Sequence, residues 1–441
     1  MSTVIKNLSS EDEDRFYLSE EAALRELERL NQHIRDKRKT FIGYPCNAGF
    51  KLQKFFKWWE RSVLSKAPLN EVGDPYEGEG SYSLNARAYE LTVVEYFAHL
   101  FSLEAHWGYV TSGGTQSNEQ GLYMGRTVLS SHGKPILYFS EESHYSIASL
   151  GRVLGLECRA IRGQINGEID YEDLNRRLDA TRPALFSLSV GTTFKGGLDR
   201  LEIIHALVQK KGIRHRFYHA DAALFGGYLP FYPDSKKPDL NFQRYPYDSI
   251  AVSGHKFFGS PIPLGIFLIR EEYKQPFTTE YIQYIQTPNV TIPCSRSALN
   301  TLIFWWIITT TRQEEWRRQA ITLLRNADYL YRQFQKRHHP AWLNPYSNIV
   351  YFKAPSPDFC RHWTLALCNC PKLGQLAHIV VMQHVTLKKI DEFLRAWDTE
   401  MKQEGVTSHR RGKRAHVIQL PADFSQNGGK TGTVNSSDCS S

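Results

Sequence analysis

The sequence has no apolar stretch long enough to cross a bilayer. Its longest, Leu302–Ile308, is seven residues, against the roughly 20 that a spanning helix needs. That run predicts a buried helix instead, and no early segment reads as a signal peptide. Cysteine is scarce and odd in number, seven in 441 residues, which argues against a disulfide framework and fits a reducing compartment. The expected location is the cytoplasm, with no membrane contact. Neither sign of charge is in large excess, the formal net being +8. The densest basic cluster, His409-Arg410-Arg411-Gly412-Lys413-Arg414, lacks interleaved aromatics and precedes a Gly/Ser/Asn/Thr-rich tail too poor in apolar residues to order itself. No nucleic-acid partner is expected. There is no internal repeat, no Walker A ending and no dinucleotide G-x-G-x-x-G. Cys360 and His362, with Cys368 and Cys370, gather four soft ligands, but their one-residue gaps depart from zinc spacing, so no metal is expected.

What is present suits a large enzyme. Hydrophobic residues make up 41% of the chain, enough for a sizeable core and at least two domains. From Ser10 to Arg38 the pattern is charged and helical. Ser10 and Glu13 are spaced as a capping box, and Leu24, Leu27, Leu30 and Ile34 share one face. Residues 1–70 are expected to form a helical arm. The texture then changes to short β-branched or aromatic runs, namely Ile136–Phe139, Cys158–Ile161, Ala184–Val190, Phe217–His219, Ser249–Val252 and Gly265–Ile269. Helical stretches such as Tyr171–Leu178 and Leu201–Lys211 separate several of them. This alternation predicts an α/β domain over residues 71–290 with a mostly parallel sheet covered on both faces. Residues 291–404, with strands expected at Asn348–Lys353 and His378–Met382, read as a smaller α+β domain, and 405–441 as a disordered tail.

Chemistry-bearing residues fall where such a sheet binds ligands, at the carboxyl ends of its strands. Ser112-Gly113-Gly114-Thr115 is a small-residue turn running into a helical pattern, a phosphate cradle of free N–H groups. His144 follows a strand. Asp221 ends another strand among small apolar residues and needs a partner there. Lys256 ends the next, after Ser253 and His255. An aldehyde for Lys256, a basic ring nitrogen for Asp221 and a phosphate for the cradle are united in pyridoxal phosphate. Lys256 is then its covalent anchor, His144 stacks on the ring, and Ser253 and His255 hydrogen-bond the phosphate.

With these residues in place, the sequence resembles the pyridoxal-phosphate-dependent group II amino-acid decarboxylases, and within them the bacterial histidine decarboxylases and plant serine decarboxylases. The resemblance spans about residues 40–396. It is carried by "IGYPCN" (42–47), "GYVTSGGTQSNEQGLYMGR" (108–126), "ILYFSEESHYS" (136–146), "GTTFKGGLD" (191–199), "HADAALFGG" (219–227), "SGHKFFGSPIPLGI" (253–266), "TIPCSRS" (291–297) and "AHIVVMQHVT" (377–386). It implies the aspartate-aminotransferase-like fold (fold type I) and a homodimer with active sites near the interface. It assigns Lys256 as the Schiff-base lysine, Asp221 as the pyridinium partner and His144 as the ring-stacking histidine. Ser112, Gly113, Gly114, Thr115, Ala223, Ser253 and His255 fall in cofactor-binding segments. Tyr284 falls where relatives carry a tyrosine at the base of a mobile loop, a candidate proton donor. Ser295-Arg296-Ser297 matches a segment near the active site, or else an arginine that holds a helix start. Two departures stand out: Gln116-Ser117 where relatives have Glu-Gly, and Ala298-Leu299 where they have Gly-His. The expected reaction is decarboxylation of an L-amino acid, with L-histidine to histamine leading because of "HADAA". Serine or another amino acid, a transamination or oxidative decarboxylation on the same fold, and a non-catalytic binding homologue remain open.

Overall fold

Seven strands build the main sheet: β1 (His106–Thr111), β2 (Ile136–Ser140), β3 (Glu157–Ile161), β4 (Ala184–Ser189), β5 (Arg216–Asp221), β6 (Ser249–Ser253) and β7 (Gly265–Arg270). The structure is a computed structural model and describes residues 18–78, 80–277 and 281–409. The spatial order is β1-β7-β6-β5-β4-β2-β3. β7 runs antiparallel to both of its neighbours, and the other pairs are parallel. Every residue of β2, β4 and β6 is buried, as expected of strands covered on both faces. At the open edge, β3 exposes Glu157 and Cys158, and such charged edge positions discourage pairing with another chain.

Helix α1 (Glu20–Lys37) is capped by Ser19, whose side chain accepts from the Ala22 N–H, and it buries none of its residues. Its expected apolar stripe, Leu24, Leu27, Leu30 and Ile34, is exposed. The Ser10–Glu13 capping box lies outside the described residues. Helix α2 (Gly114–Ser130) lies on the sheet through a face of small residues. Helix α3 (Ala298–Thr310) contains the long apolar run and buries Leu302, Ile303, Phe304, Ile307 and Ile308. Each such side chain contributes about 1.5–3 kcal/mol of hydrophobic stabilisation. Helix α4 (Gln313–Lys336) leads into four antiparallel strands, β8 (Ala341–Leu343), β9 (Ile349–Lys353), β10 (Ala366–Cys370) and β11 (Gly374–Val380), ordered β8-β9-β11-β10. The last strand starts four residues before the expected His378, because Gly374 closes a hairpin with Cys370. The helix Leu387–His409 runs past the expected start of the tail, and the basic cluster beyond His409 lies outside the described residues. Among the described residues no helix is long and apolar enough to cross a membrane.

Strand direction sets up the site. β1, β5 and β6 point the same way, so Thr111, Asp221 and Ser253 finish at one end of the sheet. Gly265, the first residue of the opposed β7, pairs with both Thr111 and Ser253 at that end. Loops leaving β1, β5 and β6 therefore converge there, as α/β sheets require of a ligand site.

Candidate active site

The turn after β1 makes the cradle. Gly113 has φ +130°, a conformation costly for any residue with a Cβ, and it aims the first N–H groups of α2 outward. A Cβ on Gly114 would lie 2.5 Å from Ser253 Oγ and 3.4 Å from Ala223 Cβ, and one on Gly113 would lie 3.6 Å from His255 Cε1. Glycine thus leaves an opening bounded by Ser253, Ala223 and His255. A helix N-terminus facing it carries partial positive charge suited to a phosphate. Gln116, one of the two departures, accepts a hydrogen bond from the Ser112 N–H at 2.8 Å through its side-chain oxygen. Ser117, the other half of that pair, bonds Thr111 Oγ1 at 2.7 Å.

Asp221 is 8% exposed and accepts from Asn118 Nδ2 at 2.9 Å and from the Ala223 N–H at 3.3 Å. Lys256 lies in the turn after β6, and no hydrogen bond or ion pair holds its ammonium among the described residues. Burial pulls its pKa below the ordinary lysine range, while Asp221 and Cys46 pull the other way. His144 is likewise lowered by burial, raised by Asp221 and lowered by Lys256. The charges of Asp221 and Lys256 thus both reach His144, and that of Asp221 reaches Lys256. Ser146 fixes the histidine: its N–H donates to His144 Nδ1 at 3.3 Å and its hydroxyl lies 2.8 Å away. Nδ1 is then the acceptor, and the neutral ring carries its proton on Nε2.

A strap, residues 41–49, closes this end of the sheet beside Lys256. Asn47 Nδ2 and Gln383 Nε2 both donate to the Phe257 carbonyl, at 3.1 and 2.8 Å. His384 takes the Ala48 N–H on Nδ1 and donates to the Phe41 carbonyl from Nε2. His378 faces the carbonyls of Gly43 and Phe194 at 2.9 and 2.8 Å.

Eight of the sequence-derived positions thus gather at this end of the sheet, Gly113, Gly114, His144, Asp221, Ala223, Ser253, His255 and Lys256, and the exposed Ser112 and Thr115 flank the glycine turn. Tyr284 does not join them. It is 90% exposed, on the turn between the short paired strands Tyr281–Ile282 and Thr287–Pro288. Arg296 takes the second of its two readings. It is buried, bonded to Glu90 at 2.8 Å and to the Gly73 carbonyl at 2.9 Å, and it braces the start of α3 rather than offering a free guanidinium. Cys360, Cys368 and Cys370 sit on a short helix and β10. No group of three metal-ligating residues among the described ones could hold an ion. Sequence reasoning missed Asn118 and Ser249. The signal was a polar residue on the small-residue face of α2, where Ser117, Asn118 and Gly121 are all buried.

The donor set fits pyridoxal phosphate: an uncommitted lysine, a buried carboxylate whose charge reaches it, a half-buried histidine and a glycine-lined anion cradle. Comparison with known proteins agrees. Residues 123–352 match the family model of the pyridoxal-dependent decarboxylase conserved domain. Histidine decarboxylase of Pseudomonas entomophila (strain L48) is 36% identical over 365 residues, covering 81% of this chain and 86% of that protein. Serine decarboxylase 1 of Oryza sativa subsp. japonica is 33% identical over 418 residues, covering 93% and 82%. Among solved structures, L-methionine decarboxylase from Streptomyces sp. 590 superposes with a TM-score of 0.77 at 23% identity, covering 86% of this chain and 94% of that one. Glutamate decarboxylase of Lactobacillus brevis CGMCC 1306 superposes at 0.74 with 16% identity, covering 93% and 97%.

Proposed function

The chain belongs to the pyridoxal-dependent decarboxylase family and is a carboxy-lyase that uses pyridoxal phosphate to decarboxylate an amino acid; on that premise we propose that its substrate is L-histidine, converted to histamine and carbon dioxide. The observation that carries the site assignment is the convergence of Lys256, Asp221 and His144 on the glycine-lined cradle. The histidine reading is supported by the His219-Ala220-Asp221-Ala222-Ala223 segment at the end of β5 and by 36% identity to histidine decarboxylases from Pseudomonas entomophila and Pseudomonas fluorescens. Serine is the second reading, supported by the rice serine decarboxylases.

When bound, pyridoxal phosphate supplies an electron-withdrawing ring that takes up the electron pair left as carbon dioxide departs. The N–H groups of Gly114 and Thr115, with Ser253 and His255, would hold its phosphate. Asp221 would hold the proton on its ring nitrogen, which would keep the ring electron-poor. His144 would face the ring with Nε2–H available as a donor. Lys256 Nζ would anchor the cofactor, and as a base of lowered pKa it would be the group to carry a proton to the substrate's α-carbon. A homodimer is the proposed assembly, and the exposed stripe of α1 suits burial there.

The test incubates purified, cofactor-loaded protein with a panel of L-amino acids and measures carbon dioxide and amine. Histamine with equimolar carbon dioxide is expected from histidine. Ethanolamine from serine, without histamine, overturns the histidine reading. Ammonia, keto acid or aldehyde in place of an amine overturns decarboxylation by this site. Lys256→Ala is expected to lose both amine production and the visible absorbance of the anchored cofactor.

A further inference from the structure

Behind Asp221 runs a chain of buried polar groups with no evident role in folding. His219 and Asp221 lie two residues apart on β5 and so face the same side of the sheet. His219 is the parallel-ladder partner of Ser249 on β6, and the two side chains meet, Nδ1 to Oγ, at 2.8 Å. On its other side His219 Nε2 lies 2.9 Å from Asn118 Oδ1, and Asn118 Nδ2 lies 2.9 Å from Asp221 Oδ2. Helix α2 makes room for this through Gly121, where a Cβ would come within 2.4 Å of the imidazole. Ser249, His219 and Asn118 are at most 2% exposed, so water does not compete for these bonds.

Each link has one polarity. Asn118 presents its carbonyl oxygen to His219, so Nε2 must donate and the amide nitrogen is left to donate to Asp221. A neutral ring protonated on Nε2 accepts on Nδ1 from the Ser249 hydroxyl. Burial supports the neutral ring, pulling its pKa down to about 4. Asp221 Oδ2 can therefore only accept, which favours the ionised carboxylate. Oδ1 has one long bond, 3.3 Å from the Ala223 N–H, and keeps capacity for a second donor.

We infer that Ser249, His219 and Asn118 are positioning residues, a relay that holds Asp221 ionised and turned so that one carboxylate oxygen is reserved for a protonated ring nitrogen of the cofactor. The inference rests on the site reading above, because Asp221 must be the partner of that nitrogen. Asn118→Leu, similar in size, removes the donor to Asp221 Oδ2, which leaves the carboxylate less stabilised as the anion and better able to take the ring's proton. Removing the Ser249 hydroxyl loosens the chain at its far end.

The test loads native protein and the Asn118→Leu, Ser249→Ala and Ser249→Thr variants with cofactor labelled with ¹⁵N in its ring. It reads the ring-nitrogen NMR shift at neutral pH, together with cofactor affinity and the thermal melt of the stripped proteins. Native protein is expected to show a protonated ring nitrogen. Asn118→Leu is expected to move the signal toward the unprotonated position and weaken cofactor binding by about tenfold. Ser249→Ala should shift it the same way by less, and Ser249→Thr, which keeps the hydroxyl, should restore it. Normal melts with an unmoved ring signal in both Asn118→Leu and Ser249→Ala overturn the relay. Should Asn118→Leu not fold, the Ser249→Ala and Ser249→Thr pair decides alone. An unprotonated ring nitrogen in native protein, or no cofactor bound, instead overturns the site reading, a failure visible before any variant is compared.

Discussion

Gly114→Ala separates binding of the cofactor from stability of the fold. The added Cβ would sit 2.5 Å from Ser253 Oγ, inside any permissible contact, and 3.4 Å from Ala223 Cβ, an ordinary one. The obstacle is the end of a one-bond side chain, so Ser253 turns its hydroxyl away and the backbone stays in place. Gly114 has ordinary helical backbone angles, and alanine is favoured over glycine in a helix by up to about 1 kcal/mol. That gain offsets the displaced rotamer, and the stripped variant should melt close to the native protein. The cofactor's phosphate, however, loses the Ser253 hydroxyl as a donor and meets a methyl group in its cradle. A hydrogen bond to a charged group contributes about 1.5–3 kcal/mol, so the dissociation constant should rise about 10- to 150-fold at roughly 1.4 kcal/mol per decade. Calorimetric titration of stripped protein with pyridoxal phosphate measures this, with Ser253→Ala as a comparator that loses the donor without adding bulk. Affinity within about twofold of native, at an unchanged melting temperature, would refute the assignment of this opening as the phosphate site.

Two further outcomes concern the scaffold. Arg296→Met leaves Glu90 charged and without its ion-pair partner in the core, and urea denaturation should show a loss of about 3–5 kcal/mol. Adding Glu90→Gln, which still accepts from the Val110 N–H, should recover part of it; a loss below about 1 kcal/mol in the single variant contradicts the bracing role. His384 is held neutral, burial bringing its pKa down to about 4 from 6.5. Because the unfolded state binds the proton first, its contribution is present above pH 6.5 and is lost as pH falls through about 4. His384→Gln should flatten that part of the stability curve, and an equal slope in both proteins from pH 7 to 4.5 counts against it.

The buried parallel strands were readable because burial on both faces leaves unbroken apolar runs, as in Ile136–Phe139. β1 was not, since His106-Trp107-Gly108-Tyr109 carries a polar start and a glycine, and its strand character comes from pairing with β7. β10 was hidden in the same way: Ala366–Cys370 alternates partly buried and exposed positions, and its cysteines drew attention as ligands. In the site, Lys256, Asp221 and the Gly113-Gly114 turn announced themselves because a charge or a glycine pair at the end of an apolar strand is costly without a purpose. Asn118, His219 and Ser249 gave no such sign. They stand 101 and 30 residues apart and become neighbours only where α2 crosses two strands. Arg296 shows the opposite case: its segment was located by resemblance, but only burial against Glu90 reveals that its charge is already spent.

The strap beside Lys256 also carries a statement about time. Its bonds join residues 41–49 to Phe257, His378 and His384, across 210 to 343 positions of the chain. Closures of that span form slowly, because the entropy of bringing the ends together is lost before any contact repays it. During synthesis β1 through β7 leave the ribosome before His378 and His384 exist, so the sheet that carries the lysine precedes the clasp that shelters it. The amino-terminal segment, made first, is among the last to find its place.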